Sequence, residues 1–110
     1  MPHRSYAAKK LTEVLESIAT HEGDARKRVE VAFLYLIHLN ETDFPKDMKA
    51  DWDWIWKEAT KYGPLHDHHG NVWRGSVENT MRRIKNSTAS KILKKIYELY
   101  WGVTKNRPYC

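Results

Sequence analysis

A chain of 110 residues that is 41% hydrophobic, with five Trp and six Tyr, is too apolar to be disordered and long enough to fold around a core without staples. Its longest apolar-rich stretch, Val29 to Leu39, is broken by Glu30 and His38 and falls far short of the roughly 20 residues a membrane span needs. The first residues lack the apolar region of a secretory signal, and the single cysteine, Cys110, rules out an internal disulfide, so a cytoplasmic protein is expected, with Cys110 a bystander.

In chain order, Ser5 is placed to cap a first helix whose apolar residues Ala7, Leu11, Val14, Leu15, Ile18 and Ala19 share one face. Gly23 is expected to end it. Asp24 caps a second helix from Ala25 to about Asn40, apolar nearly all round as a buried central helix would be. Its alternation of Val29, Val31, Phe33, Tyr35, Ile37 and Leu39 also fits a strand, but no second strand is evident to pair with it. Pro45 starts a third helix, in which Met48, Trp52, Ile55, Trp56, Ala59 and Tyr62 form a stripe, and Gly63-Pro64 stops it. A loop from Leu65 to Gly75 follows. Ser76 then caps a short fourth helix carrying Val77, Met81 and Ile84. The Asn86-Ser87-Thr88 break precedes a last helix to about Trp101, whose inner face is Ala89, Ile92, Leu93, Ile96, Leu99 and Tyr100. The expected fold is an all-α single-domain bundle of about five helices over residues 1–110, its core drawn from Leu15, Ile18, Phe33, Leu36, Ile37, Trp52, Ile55, Trp56, Ile84, Ile92 and Ile96.

The charge is unevenly placed. Residues 72–110 carry nine Lys or Arg against Glu78 and Glu98, a balance of +7, whereas residues 1–71 carry ten basic and twelve acidic side chains, a balance of −2. Such asymmetry favours polyanions or acidic partners. The last two helices, residues 76–101, are compatible with a helix-turn-helix. In that arrangement Ser87, Thr88 and Lys91 lie at the start of the second helix, and Arg82, Arg83, Lys85, Lys94 and Lys95 flank it as phosphate contacts. Trp73 beside Arg74 offers a ring and a guanidinium able to stack a base or clamp a phosphate. For an isolated Lys-x-x-Lys-Lys on a helix a plain solvated face is the better explanation; the added Arg82, Arg83 and Lys85, with almost no acid nearby, weaken it here.

His66, Asp67, His68 and His69 are metal-capable ligands in a glycine-bounded loop. No internal cysteine or helical His pair supplies the further convergent ligands a zinc site needs, so these histidines are weak metal candidates and a solvated polar loop is expected. Asp67-His68-His69 spells the signature of DHH phosphoesterases without that family's further motifs. His68-His69 followed by Asn79 resembles an HNH nuclease without its later histidine. No nucleophile, base and charge stabiliser share a motif, so neither catalytic residues nor a cofactor are expected. Trp54, about 200° round the helix from Trp52, should face away from the stripe, either as an exposed anchor or packed under the Leu65 to Gly75 loop. Two functions follow: a small non-enzymatic nucleic-acid-binding protein, or an interaction module that docks an acidic protein or self-associates through the same face. A metal-binding or nuclease-like loop at His66 to His69 is the remote alternative.

Overall fold

The computed structural model describes residues 2–105, with side chains from Tyr6 to Val103 apart from Trp73. Cys110 and Arg107 lie outside the described residues. The described residues form five helices: α1 (Pro2–Thr20), α2 (Ala25–Leu36), α3 (Lys49–Ala59), α4 (Ser76–Arg83) and α5 (Asn86–Lys105). Two short 3-10 turns, Glu41–Asp43 and Lys46–Met48, lead into α3. The Leu65 to Gly75 segment is a small antiparallel hairpin rather than an irregular loop, with β1 (Leu65–His66) paired to β2 (Val72–Arg74). The core is one cluster to which every helix contributes, including Leu11, Phe33, Ile55, Met81 and Ile96. α1 packs on α2, α5 lies across α2, α1 and α3, and α4 packs on α2 and α3.

Several boundaries differ from the sequence expectation for local reasons. α1 begins at Pro2, where a missing N–H costs nothing, so Ser5 lies inside the first turn. The helix ends at Thr20, and the connection beyond is held by His21 Nδ1, which accepts the Gly23 N–H at 2.9 Å, and by Arg28 Nε, which donates to the Gly23 carbonyl at 2.9 Å. The fourth helix is capped by Gly75, with Ser76 its first helical residue. α3 starts at Lys49, because the turn after Pro45 is 3-10. It ends at Ala59, so Tyr62 is exposed. Gly63 then takes the left-handed conformation (φ 66°) that reverses the chain. α5 passes through Gly102 to Lys105 instead of stopping at Trp101. A Cβ on Gly102 would lie 2.5 Å from Met48 Cε, so the missing side chain admits Met48 against the helix.

α2 departs most. It stops at Leu36, and the turn formed by His38 N–H to Tyr35 O and Leu39 N–H to Leu36 O carries Leu39 inward and Ile37 outward. Ile37 is therefore 60% exposed, not core, and Leu34 is 64% exposed. Leu15, Ile18 and Trp56 are half-buried, while Phe33, Leu36, Trp52, Ile55, Ile84, Ile92 and Ile96 are buried. The aromatic stripe closes on itself through edge-to-face Phe33–Trp56 (4.8 Å) and Trp52–Trp56 (5.7 Å) contacts.

Asp24 caps α2, its Oδ1 accepting the Lys27 N–H at 3.1 Å. That backbone hydrogen bond holds the carboxyl below its ordinary range. A depressed folded-state pKa adds stability that is present above the unfolded pKa and is lost as pH falls through the folded one. Asn caps equally well but does not titrate. Asp24→Asn should therefore melt close to wild type at neutral pH and lose less stability than wild type along an acid series; a difference between the two that is independent of pH would remove the carboxylate from this role.

Candidate functional site

The joint between α4 and α5 is where the basic residues gather. Ile84 is extended (φ −97°, ψ 165°), so the two helices are separate, as the Asn86-Ser87 break implies. The joint is pinned to the start of α2 by the Arg26 N–H donating to Asn86 Oδ1 (3.3 Å) and Arg26 Nη1 donating to the Ile84 carbonyl (3.4 Å). Buried polar residues fix α4 from the other side. Asn79 Nδ2 donates to the Gly63 carbonyl at 2.9 Å, and Thr80 Oγ1 accepts the Tyr62 N–H at 3.2 Å. Asn79 is thus a structural clamp between α4 and the end of α3.

The expected phosphate contacts divide into two groups. Arg82 pairs with Glu78 at 3.3 Å. Arg83 Nε donates to Asn79 Oδ1 at 3.3 Å, and its guanidinium lies 5.6 Å from the Tyr62 ring. Lys95 reaches Asp51 on α3 and Glu98 on its own helix, each at 3.5 Å, and sits 5.7 Å from the Trp54 ring. All three cations are engaged by neighbouring side chains. Lys85, Lys91 and Lys94 are exposed and make no ion pair among the described residues. Lys9, Lys46 and Lys57, also without an ion pair, are spread one each over α1, the second 3-10 turn and α3.

Lys91 and Lys94 occupy the wet face of α5, opposite buried Ile92, Ile96, Leu99 and Val103. Ser87 at the head of this face is exposed and Thr88 half-buried; the first turn of α5 contains no acid, so its N-terminal dipole adds to the positive field. At 100° per residue, Ser90, Lys94, Tyr97 and Trp101 form a continuous exposed stripe. Tyr97 is 48% and Trp101 52% exposed, with ring centroids 6.1 Å apart at 82°. Sequence reasoning missed this aromatic pair by assigning interest to Trp54. Trp54 is half-buried against the core, with Lys95 Nζ 5.7 Å from its ring centroid, and so is not an exposed anchor. The signal was present: Tyr97 and Trp101 are four residues apart and both fall outside the inner face of α5.

Arg74 lies half-buried on β2 beside Trp73, whose side chain is outside the described residues. His66 stands on β1, and His68 and His69 in the hairpin turn, all exposed. Asp67 is committed to that turn: its Oδ1 accepts the N–H groups of His69 (2.9 Å) and Asn71 (3.0 Å). His68 and His69 rest on each other, centroids 4.0 Å apart. Among the described residues, no three His, Cys, Asp or Glu side chains are placed to hold a metal ion.

A cleft of about 670 Å³ lies between α2, the end of α3 and the start of α4. Its walls are Val31, Phe33, Leu34, Ile37, Trp56 and Val77, with His21, Lys27, Glu30 and Glu78 at the rim. Burial pushes the Glu30 carboxyl up, Lys27 opposing and Glu78 reinforcing the shift.

The architecture is an all-α bundle carrying one small hairpin. No helix among the described residues is long and apolar enough to cross a membrane. Comparison with protein-family models, curated proteins and solved structures finds no match.

Proposed function

We propose that the protein is a small non-enzymatic nucleic-acid-binding protein that contacts phosphates through Lys85 and the wet face of α5. The observation that carries this reading is the grouping of Lys85, Lys91 and Lys94 on one joint and one helix face without ion pairs, in the segment that holds all of the chain's excess positive charge. Unpaired lysines attract phosphates at no cost in broken salt bridges, and each phosphate neutralised releases counterions. Arg82, Arg83 and Lys95 support the field at longer range while engaged in contacts of their own. Fluorescence anisotropy with labelled DNA and RNA tests it: affinity should fall with salt, with a log–log slope of about 0.7 to 0.9 per phosphate contacted. No binding to either at low salt would reject the reading.

The cleft beside α2 favours a second reading, an interaction module that docks a protein partner or a second copy. Leu34 and Ile37 present large apolar area to solvent, which marks contact surfaces more often than it occurs by chance. If this face joins two copies, Leu34→Ser with Ile37→Ser should convert a dimer to a monomer in sedimentation, leaving helix content unchanged. A wild-type protein that is monomeric at high concentration would exclude self-association through it.

A further inference from the structure

We infer that the cleft between α2, the end of α3 and the start of α4 is a binding site for an uncharged, largely apolar small molecule. The inference is independent of the phosphate reading, which concerns α5. At about 670 Å³ the cleft falls within the roughly 300–1,000 Å³ of small-molecule sites. Three helices build it: Val31, Phe33 and Leu34 come from α2, Trp56 from α3 and Val77 from α4, with Ile37 just beyond the end of α2. Phe33, 4% exposed, is the deepest of these side chains and meets Trp56 edge to face. Leu34 and Ile37, 64% and 60% exposed, form the lip. Apolar area left in water costs free energy in proportion to its extent, and a ligand seated here covers part of it.

The polar groups at the border select the kind of ligand, because they are engaged within the protein. Thr60 Oγ1 donates to the Trp56 carbonyl at 2.6 Å, and His21 Nδ1 accepts the Gly23 N–H at 2.9 Å. Lys27 Nζ lies 4.0 Å from Glu30, and Arg82 Nη2 lies 3.3 Å from Glu78. Both signs of charge therefore stand together at the rim. A ligand carboxylate there would face Glu30 and Glu78, and an ammonium would face Lys27. Neither gains a net attraction to offset its loss of water. Burial already pushes the Glu30 carboxyl up, so a further anion beside it adds to an existing penalty. What the cleft offers is apolar surface, which a neutral molecule matches. A standard protein interface needs about 800 Å² on each partner, whereas the apolar side chains here gather in a concavity.

The test titrates the full-length protein with N-phenyl-1-naphthylamine, an uncharged dye that brightens in apolar surroundings. Wild type should give saturable, blue-shifted emission at one dye per chain. The sulfonated analogue, 8-anilinonaphthalene-1-sulfonate, keeps the rings and adds a negative charge; it should displace the dye only at concentrations at least about tenfold higher. Leu34→Ser with Ile37→Ser alters exposed positions that the fold does not need, and should weaken dye binding by about tenfold or more. Val31→Trp with Val77→Trp narrows the cleft from two helices and should abolish saturable binding. Lys91→Glu with Lys94→Glu should bind the dye as wild type does. No saturable binding to wild type, or binding unchanged in both cleft variants, would overturn the inference. Equal displacement by the sulfonate would overturn its choice of a neutral ligand. If dye affinity falls as protein concentration rises and the protein sediments as a dimer, a second copy occupies the cleft and the small-molecule inference is wrong. None of these outcomes touches the phosphate reading, which the anisotropy measurement decides separately.

Discussion

Ile96→Ala should destabilise the protein by about 2–5 kcal/mol, the range for truncating a large buried aliphatic side chain. Ile96 is fully buried midway along α5, the helix that packs on α1, α2 and α3 together. A cavity there loses contacts to more than one helix, and a rigid four-way junction collapses poorly around it. For a domain of this size the melting temperature should drop on the order of 10–30 °C. Calorimetry measures it directly. A loss below about 1 kcal/mol, the scale of an ordinary point mutation, would mean that α5 is not integral to the bundle. The binding face would then need a different support.

On the opposite face of the same helix the expected effect reverses in kind. Lys91→Glu with Lys94→Glu should leave the melting temperature nearly unchanged, since exposed side chains without partners contribute within about ±0.5 kcal/mol. Affinity for nucleic acid should fall steeply. At 0.1 M salt each phosphate contact contributes a factor of roughly 5 to 8, so losing two removes roughly 25- to 60-fold, before the added repulsion. The same reversal at Lys9 and Lys10 on α1 should matter far less, because Lys10 already pairs with Glu13 at 3.6 Å and these lysines lie outside the segment that holds the excess positive charge. Arg83 is a poor probe by comparison. Its guanidinium serves Asn79 and the Tyr62 ring, so reversing it disturbs the clamp between α4 and the end of α3 as well as the field.

Periodicity made the helices legible. Met48, Trp52, Ile55 and Ala59 repeat at helical spacing and are all buried, and Asp24 caps where its side chain can reach an amide. Helix ends were less legible because they depend on partners distant in sequence. Whether Gly102 stops α5 depends on Met48, and nothing near residue 102 announces that methionine. Ile37 looked like core because it continues an apolar run; the turn after Leu36 sends it outward. The basic segment was legible as a charge balance, but its division was not. Lys95 is spent on Asp51, 44 positions earlier in the chain, and only the packing of α3 against α5 brings them together. The hairpin was hidden because its strands are two and three residues long, too short for alternation to register.

The most direct measurement is the salt dependence of nucleic-acid affinity, taken side by side on wild type and on Lys91→Glu with Lys94→Glu. If α5 carries the contacts, the plot of log affinity against log salt should be linear for wild type, and its slope should shrink by about 1.4 to 1.8 in the variant. An equal slope in both proteins, at unchanged affinity, would contradict the assignment of α5 as the binding face.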